Sequence, residues 1–218
     1  MAMIKSYFRF LLISFVAIDS LSPYILAHFY PKYQAISQVI SELGEVGSPV
    51  YYGFSFFSVL AGSVLLVSLF GLVSYLKTQT SVWMSRAIVG TLASFAIGEC
   101  LLSGLFSIEG GSTLSVIIHQ VASDLGSLGM LGFPFLISIL FYRKDRSKTY
   151  LFFGLGILSV FFALINGYAQ LMDSSYMGVY QRLSMVMMYL PVVLFGSKLP
   201  KISTIKAVYG TPSYAAVN

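Results

Sequence analysis

Apolar residues fall in long, nearly unbroken runs along this chain, and the polar residues between them are few. Six runs, at roughly 8–29, 50–76, 86–107, 113–142, 150–172 and 177–197, each reach the ~20 residues an α-helix needs to cross a bilayer. The pattern predicts an all-α integral membrane bundle of six helices occupying residues 1–199. The tail, 200–218, is polar and mixed in composition and reads as disordered. Lys5 and Arg9 precede the first run as they would in a leader peptide. However, Asp19 interrupts that run, Pro23 follows, and no small-x-small cleavage site is evident, so it is expected to stay as the first helix.

One stretch breaks the rule. Residues 30–49, YPKYQAISQVISELGEVGSP, separate the first two runs and carry Lys32, Glu42 and Glu45. Ile36, Val39, Ile40 and Leu43 keep the i, i+3, i+4, i+7 spacing of a one-sided apolar stripe. This predicts a short amphipathic helix in the first loop, stopped at Gly44. Such a helix either connects two spans at the membrane surface or folds back over the bundle as a lid.

Composition sharpens the membrane reading. Of 218 residues 57% are hydrophobic and 10% charged, against about 25% charged in a soluble domain. The net charge of +5 follows topology and is not a nucleic-acid surface, because no basic cluster is interleaved with aromatics. Lys5, Arg9, Lys77, Arg86, Arg143, Lys144, Arg146, Lys148, Lys198, Lys201 and Lys206 fall on one side of the membrane, and Lys32 and Arg182 on the other. By the positive-inside rule both termini are cytoplasmic and the 30–49 loop is external. The lone Cys100 excludes an internal disulfide and any cysteine-based metal site. Pro23, Pro134 and Pro191 are expected to kink or end their helices.

The candidate chemistry is the set of polar residues inside the runs, each of which needs a partner or a water-filled cavity. Asp19 lies in the first run. Glu99 and Ser103, four apart, share a face of the third. His119, Gln120, Ser123 and Asp124 make a polar stripe in the fourth, and Asn166, Gln170 and Asp173 follow in the fifth; Gln181 and Arg182 open the sixth. These stripes sit at the external end of four runs, which predicts an outward-open polar cavity beneath the 30–49 segment. The expected ligand-binding residues are Ser41, Glu42, Glu99, His119, Asp124, Asn166, Gln170 and Arg182. Arg182 and Glu99 could equally form a structural ion pair, and His119 a packing histidine. No HExxH, DxD, GxSxG or Walker sequence occurs. A Ser–His–acid or a His–carboxylate metal set can be assembled from these residues, but no spacing selects either, and no cofactor is called for. Whether the chain is an enzyme stays open.

The stretch YPKYQAISQVISELGEVGSPVYYGFSF resembles the signature of a bacterial and archaeal membrane family, the domain of unknown function 998. So do the Gly-Leu-Phe at 104–106, the histidine of IIHQVAS, and Gly178, Gln181 and Arg182. Its most specific part is Ile40-Ser41-Glu42-Leu43-Gly44, and the resemblance spans roughly 7–197. The chain departs from the family at Phe106-Ser107-Ile108-Glu109, where the family has a Phe-Pro-x-Asp-like turn. More distantly, ISELG is similar to a stretch of the six-span DRAM/Frag-type proteins, several of them linked to lipid remodelling. The resemblance implies a multi-pass protein of a prokaryotic plasma membrane. The leading expectation is binding or handling of a lipid headgroup, with membrane lipid as partner, no nucleic acid and no assignable protein partner. Alternatives are a proton-coupled solute carrier relaying through Asp19, Glu99 and Asp124, and a structural membrane subunit.

Overall fold

The computed structural model describes residues 2–106 and 110–198. The expected loop acid Glu109 and the tail 200–218, with Lys201 and Lys206, lie outside the described residues. Six helices are long and apolar enough to span a membrane: Tyr7–His28, Tyr51–Leu76, Val82–Leu105, Thr113–Phe141, Arg146–Leu171 and Met177–Ser197. They belong to α1 (Ala2–His28), α2 (Tyr51–Leu76), α3 (Val82–Phe95) with its continuation, α5 (Thr113–Phe141), α6 (Arg146–Leu171) and α7 (Met177–Lys198). At 1.5 Å per residue a 26-residue helix such as α2 runs about 39 Å, enough for the hydrocarbon core and part of each headgroup layer.

Side-chain caps explain several helix starts. The hydroxyls of Ser81 and Ser112 and the carboxylate of Asp145 accept the backbone N–H three residues on, at 3.3, 3.2 and 3.0 Å. The third span therefore begins at Val82, four residues before its apolar run suggests. All three prolines lie inside helices, which continue through them.

The helices form a closed ring in chain order: α1 packs on α2 and α7, α2 on α3, α3 on α5, α5 on α6 and α6 on α7. Toward the end that carries Arg143 to Lys148, the ring is filled. Phe15 of α1, Phe95 of α3 and Tyr189 of α7 meet edge-to-face, with centroids 5.8–6.0 Å apart. Phe133 of α5 meets Phe195 of α7 at 5.8 Å in the same way. Fully buried Leu12, Leu65, Leu72, Leu92 and Met130 fill the gaps between them.

The third span does not stay α-helical. From Ala96 to Leu102 it is a π-helix, followed by one α-turn, α4 (Ser103–Leu105). Two close approaches locate the cause. A Cβ at Gly98 would lie 2.2 Å from the Ala122 carbonyl oxygen, and one at Gly126 would lie 2.6 Å from the Glu99 nitrogen, so α5 rides directly on this backbone. On its other side Ala96 and Cys100 press on Gly62 of α2. The extra residue of the π-turn lets this segment serve both neighbours while Glu99 faces α5.

The 30–49 segment corrects the expected amphipathic helix. Only Ile40–Gly44 is helical, as a 3-10 turn, and the rest is a chain of turns. Val39, Ile40 and Leu43 are buried as the stripe predicts, but Ile36 is exposed. Polar side chains take the backbone groups an α-helix would have used: Gln38 Oε1 accepts from Gln34 N, and Glu42 Oε1 from Val39 N. Gly44 is not the left-handed stop either, since the positive φ falls at Gly47, at 101°. Gly44 is needed for space: a Cβ there would sit 2.5 Å from the Phe54 ring.

Candidate functional site

Arg182 sits at the centre of the joint between the 30–49 segment and α7. Its Nη1 donates to the carbonyls of Ala35 (2.7 Å), Gln38 (3.2 Å) and Gly178 (2.8 Å), and its Nη2 to the Tyr33 hydroxyl (2.6 Å). The Tyr24 and Tyr33 rings lie 5.9 and 5.7 Å from the guanidinium carbon, within cation–π range. The Tyr33 hydroxyl in turn donates a hydrogen bond to the Val39 carbonyl at 3.0 Å. Burial pushes the Tyr33 phenol above its ordinary value of 10.0. It therefore stays a donor through neutral pH, and its contribution to the joint is lost only as pH rises through that raised value. Beside it, Gln181 Oε1 accepts from Ile40 N, and Gln38 Nε2 donates to Glu42 Oε2. Gly178 permits the docking, because a Cβ there would lie 2.3 Å from the Gln38 carbonyl oxygen.

Arg182 is thus not paired with Glu99, the alternative weighed against ligand contact, and it lines a small separate cavity away from the other expected ligand-binding residues. The fork of the guanidinium is matched by backbone carbonyls and a phenol, and Glu99 instead accepts a hydrogen bond from the Ser123 hydroxyl. Glu42, expected among the ligand-binding residues, is turned into its own segment. The side chains of Glu42 and Arg182 fasten the loop.

The other expected residues do converge. Ser41, Glu99, His119, Asp124, Asn166 and Gln170 line one cleft of about 830 Å3 at the end of the bundle that carries the 30–49 segment. The π-helix and α4 supply Glu99 and Ser103. From α5 come His119, Gln120, Ser123, Asp124, Ser127, Leu128 and Leu131; from α6 Ala163, Asn166, Gly167, Gln170 and Leu171; and from α7 Gln181, Ser184, Met185 and Met188. Ile40 and Ser41 close one end, with Phe54 of α2 beside them. The first run, whose Asp19 was counted among the candidate polar residues, has no residue in this lining. Asp19 of α1 accepts from the Tyr189 hydroxyl and lines a separate cavity of about 40 Å3 with Tyr24, Arg182 and Met185. Asp19 thus lines a different cavity from Glu99 and Asp124, the carboxyls with which the alternative carrier reading joined it in a relay.

Within the cleft, His119 is 4% exposed. Its Nδ1 lies 2.7 Å from the Phe106 carbonyl oxygen and 3.1 Å from that of Ser103. Carbonyls only accept, so Nδ1 carries a proton, and a neutral ring presents Nε2 as a lone pair. The same bonds tie down the last carbonyls of the third span, so His119 both packs and lines. Gln170 Nε2 donates to Asn166 Oδ1 at 3.0 Å, linking the α6 pair. Asp124 is exposed, about 16 Å along α5 from its start. Among the described residues no group of three His, Cys, Asp or Glu side chains is placed to hold a metal ion.

Reading the sequence missed Tyr33, Gln38 and Ser184. The first two were visible as polar residues in the 30–49 segment, but their partners are backbone atoms that carry no residue signature. Ser184 was one serine among many.

The sequence pattern of the family described as "Protein of unknown function (DUF998)" matches residues 14–198. No curated protein matches the chain, and no solved structure does.

Proposed function

The chain belongs to the family of domain of unknown function 998, whose description assigns no activity, and we propose from the geometry that it is a multi-pass membrane protein binding an amphiphile in the cleft. In this reading the ligand's polar end meets Glu99, His119, Asp124, Asn166 and Gln170, and its chain runs along Leu128, Leu131, Met185 and Met188. The observation that carries it is the cleft itself. About 830 Å3 within a transmembrane bundle, polar on one side and aliphatic on the other, has the size and mixed chemistry of a ligand site. Ser41 and the Arg182-fastened segment form its roof. The basic residues gather at the opposite end, which supports placing the roof outside the cell membrane.

Gly167 supplies the test. It lines the cleft, and a Cβ there meets nothing within 4 Å, so the backbone tolerates a side chain at this position and Gly167→Trp is expected to take up part of the cleft. Parent protein purified in a maltoside detergent is expected to carry amphiphile detectable by mass spectrometry, and Gly167→Trp to lose it while unfolding at the same temperature. Equal lipid in both would remove the reading. The orientation is tested in a Cys100→Ser background: Lys32→Cys should react with an impermeant thiol reagent on intact cells, and Lys77→Cys only after lysis.

A further inference from the structure

The cleft's electrostatics narrow what it accepts. Two carboxyls, Glu99 and Asp124, line it and no lysine or arginine does. The guanidinium at this end of the bundle, Arg182, is bound to loop carbonyls and lines the separate small cavity. Asp124 is exposed in this space, and no lysine or arginine among the described residues that line the cleft faces it. The remaining groups add acceptors. With Nδ1 donating to carbonyls, the His119 ring has only Nε2 left for the cleft, a lone-pair acceptor in the neutral tautomer. The Ser184 hydroxyl group, on a residue 2% exposed, belongs to the same lining.

We propose that the polar group this cleft holds is a cationic amine, whether the headgroup of a lipid or a free alkylamine. The proposal rests on the reading of the cleft as a ligand site and names its chemistry. An ammonium group brings donors and a positive charge to a space furnished with acceptors and negative charge. A phosphate or carboxylate would face the Asp124 carboxyl with no lysine or arginine among the described lining residues to offset it. An uncharged alcohol would bring no charge to meet that carboxyl.

The experiment measures equilibrium binding of radiolabelled dodecylamine, below its micellar concentration, to the full chain in maltoside micelles. Gly167→Trp protein supplies the background from partition into the micelle. Saturable binding above that background is expected, displaced by unlabelled dodecylamine but not by equal concentrations of dodecanoate or dodecanol. Asp124→Asn should weaken it about ten-fold or more. Asp173→Asn, which removes the same charge from the exposed turn after α6, should bind like the parent. Displacement by butylamine would identify a free amine as sufficient; failure of butylamine beside success of dodecylamine would assign the cation to an apolar chain. Displacement by dodecanoate or dodecanol as effective as by dodecylamine, or parent-like affinity in Asp124→Asn, would overturn the charge assignment and leave the amphiphile reading standing. If the parent binds dodecylamine no better than Gly167→Trp and the two proteins purify with equal lipid, the amphiphile reading itself falls.

Discussion

The two ends of this bundle are made from the same helices and obey opposite rules. On α5, Met130, Phe133 and Ile137 are completely buried, yet two to three turns earlier Gln120, Asp124 and Leu128 are exposed to the cleft. On α7, Val192 and Phe195 are buried among aromatic neighbours, while Gln181, Ser184 and Met185 line open space. α6 divides likewise, with Phe152 buried at its start and Asn166 and Gln170 lining the cleft near its end. The filled end holds the ring closed by interlocking aromatic edges. The hollow end is then kept in shape by the 30–49 segment bolted across it, through hydrogen bonds that converge on Arg182 and Gln181. In the proposed reading, stability and ligand chemistry are thereby separated along the length of the bundle.

The largest effect that would test this division is a cavity at the filled end. Phe133→Ala should lower unfolding stability by about 3–5 kcal/mol, because Phe133 is completely buried against Phe195. Leu128→Ala, five residues earlier but 63% exposed in the cleft, should cost less than about 1 kcal/mol. Reversible unfolding in mixed detergent micelles would measure both. Similar losses would mean that the cleft closes in solution and the two ends are not distinct.

Next comes the bolt. Arg182→Gln strands the carbonyls of Ala35 and Gln38 and the Tyr33 hydroxyl, and should cost about 2–4 kcal/mol. Arg182→Lys should restore less than half of this, since an ammonium cannot span the partners of a planar fork. Adding Glu99→Gln should give no rescue, with the double variant additive to within about 0.5 kcal/mol. Recovery in the double variant would reinstate a direct ion pair between the residues. A smaller disturbance of the same joint is Gly44→Val, which must displace the Phe54 ring and should cost about 1–3 kcal/mol in the same assay.

How much of this was legible in the sequence differs between the cleft and the bolt for a physical reason. Helical spacing and depth are arithmetic, so Glu99, His119, Asp124, Asn166 and Gln170 could be placed on stripes at one end of their spans before any fold was known. Arg182 could not be assigned, because its partners at 35, 38 and 178 are main-chain oxygens that any residue would supply. An acid was the natural guess for its counter-charge, and the fold uses dipoles instead. The π-helix at Ala96–Leu102 was equally hidden. It answers to Gly98 meeting Ala122 and Gly126 meeting Glu99 across two helices, while the spacing of Glu99 and Ser103 fits an ordinary α-turn. The 30–49 stripe misled in part because Gln38, Glu42 and Tyr33 compete for the backbone groups that an α-helix needs.

The smallest expected effect is the sharpest test of the hollow end. Asp124→Asn removes a charge from the interior of a transmembrane helix, where at the filled end any such change would strand a partner. Here Asp124 faces open space, and no hydrogen bond or ion pair to its side chain is found among the described residues. Its replacement therefore strands no hydrogen-bond partner among the described residues. The unfolding free energy should stay within about 0.5 kcal/mol of the parent. A loss of 2 kcal/mol or more, on the order expected for breaking a buried bonded pair, would mean that Asp124 holds the bundle together and that the cleft is a packing fault around it. Unchanged stability together with weakened dodecylamine binding would place its contribution in the ligand, and would mark the two ends of α5 as built for different work.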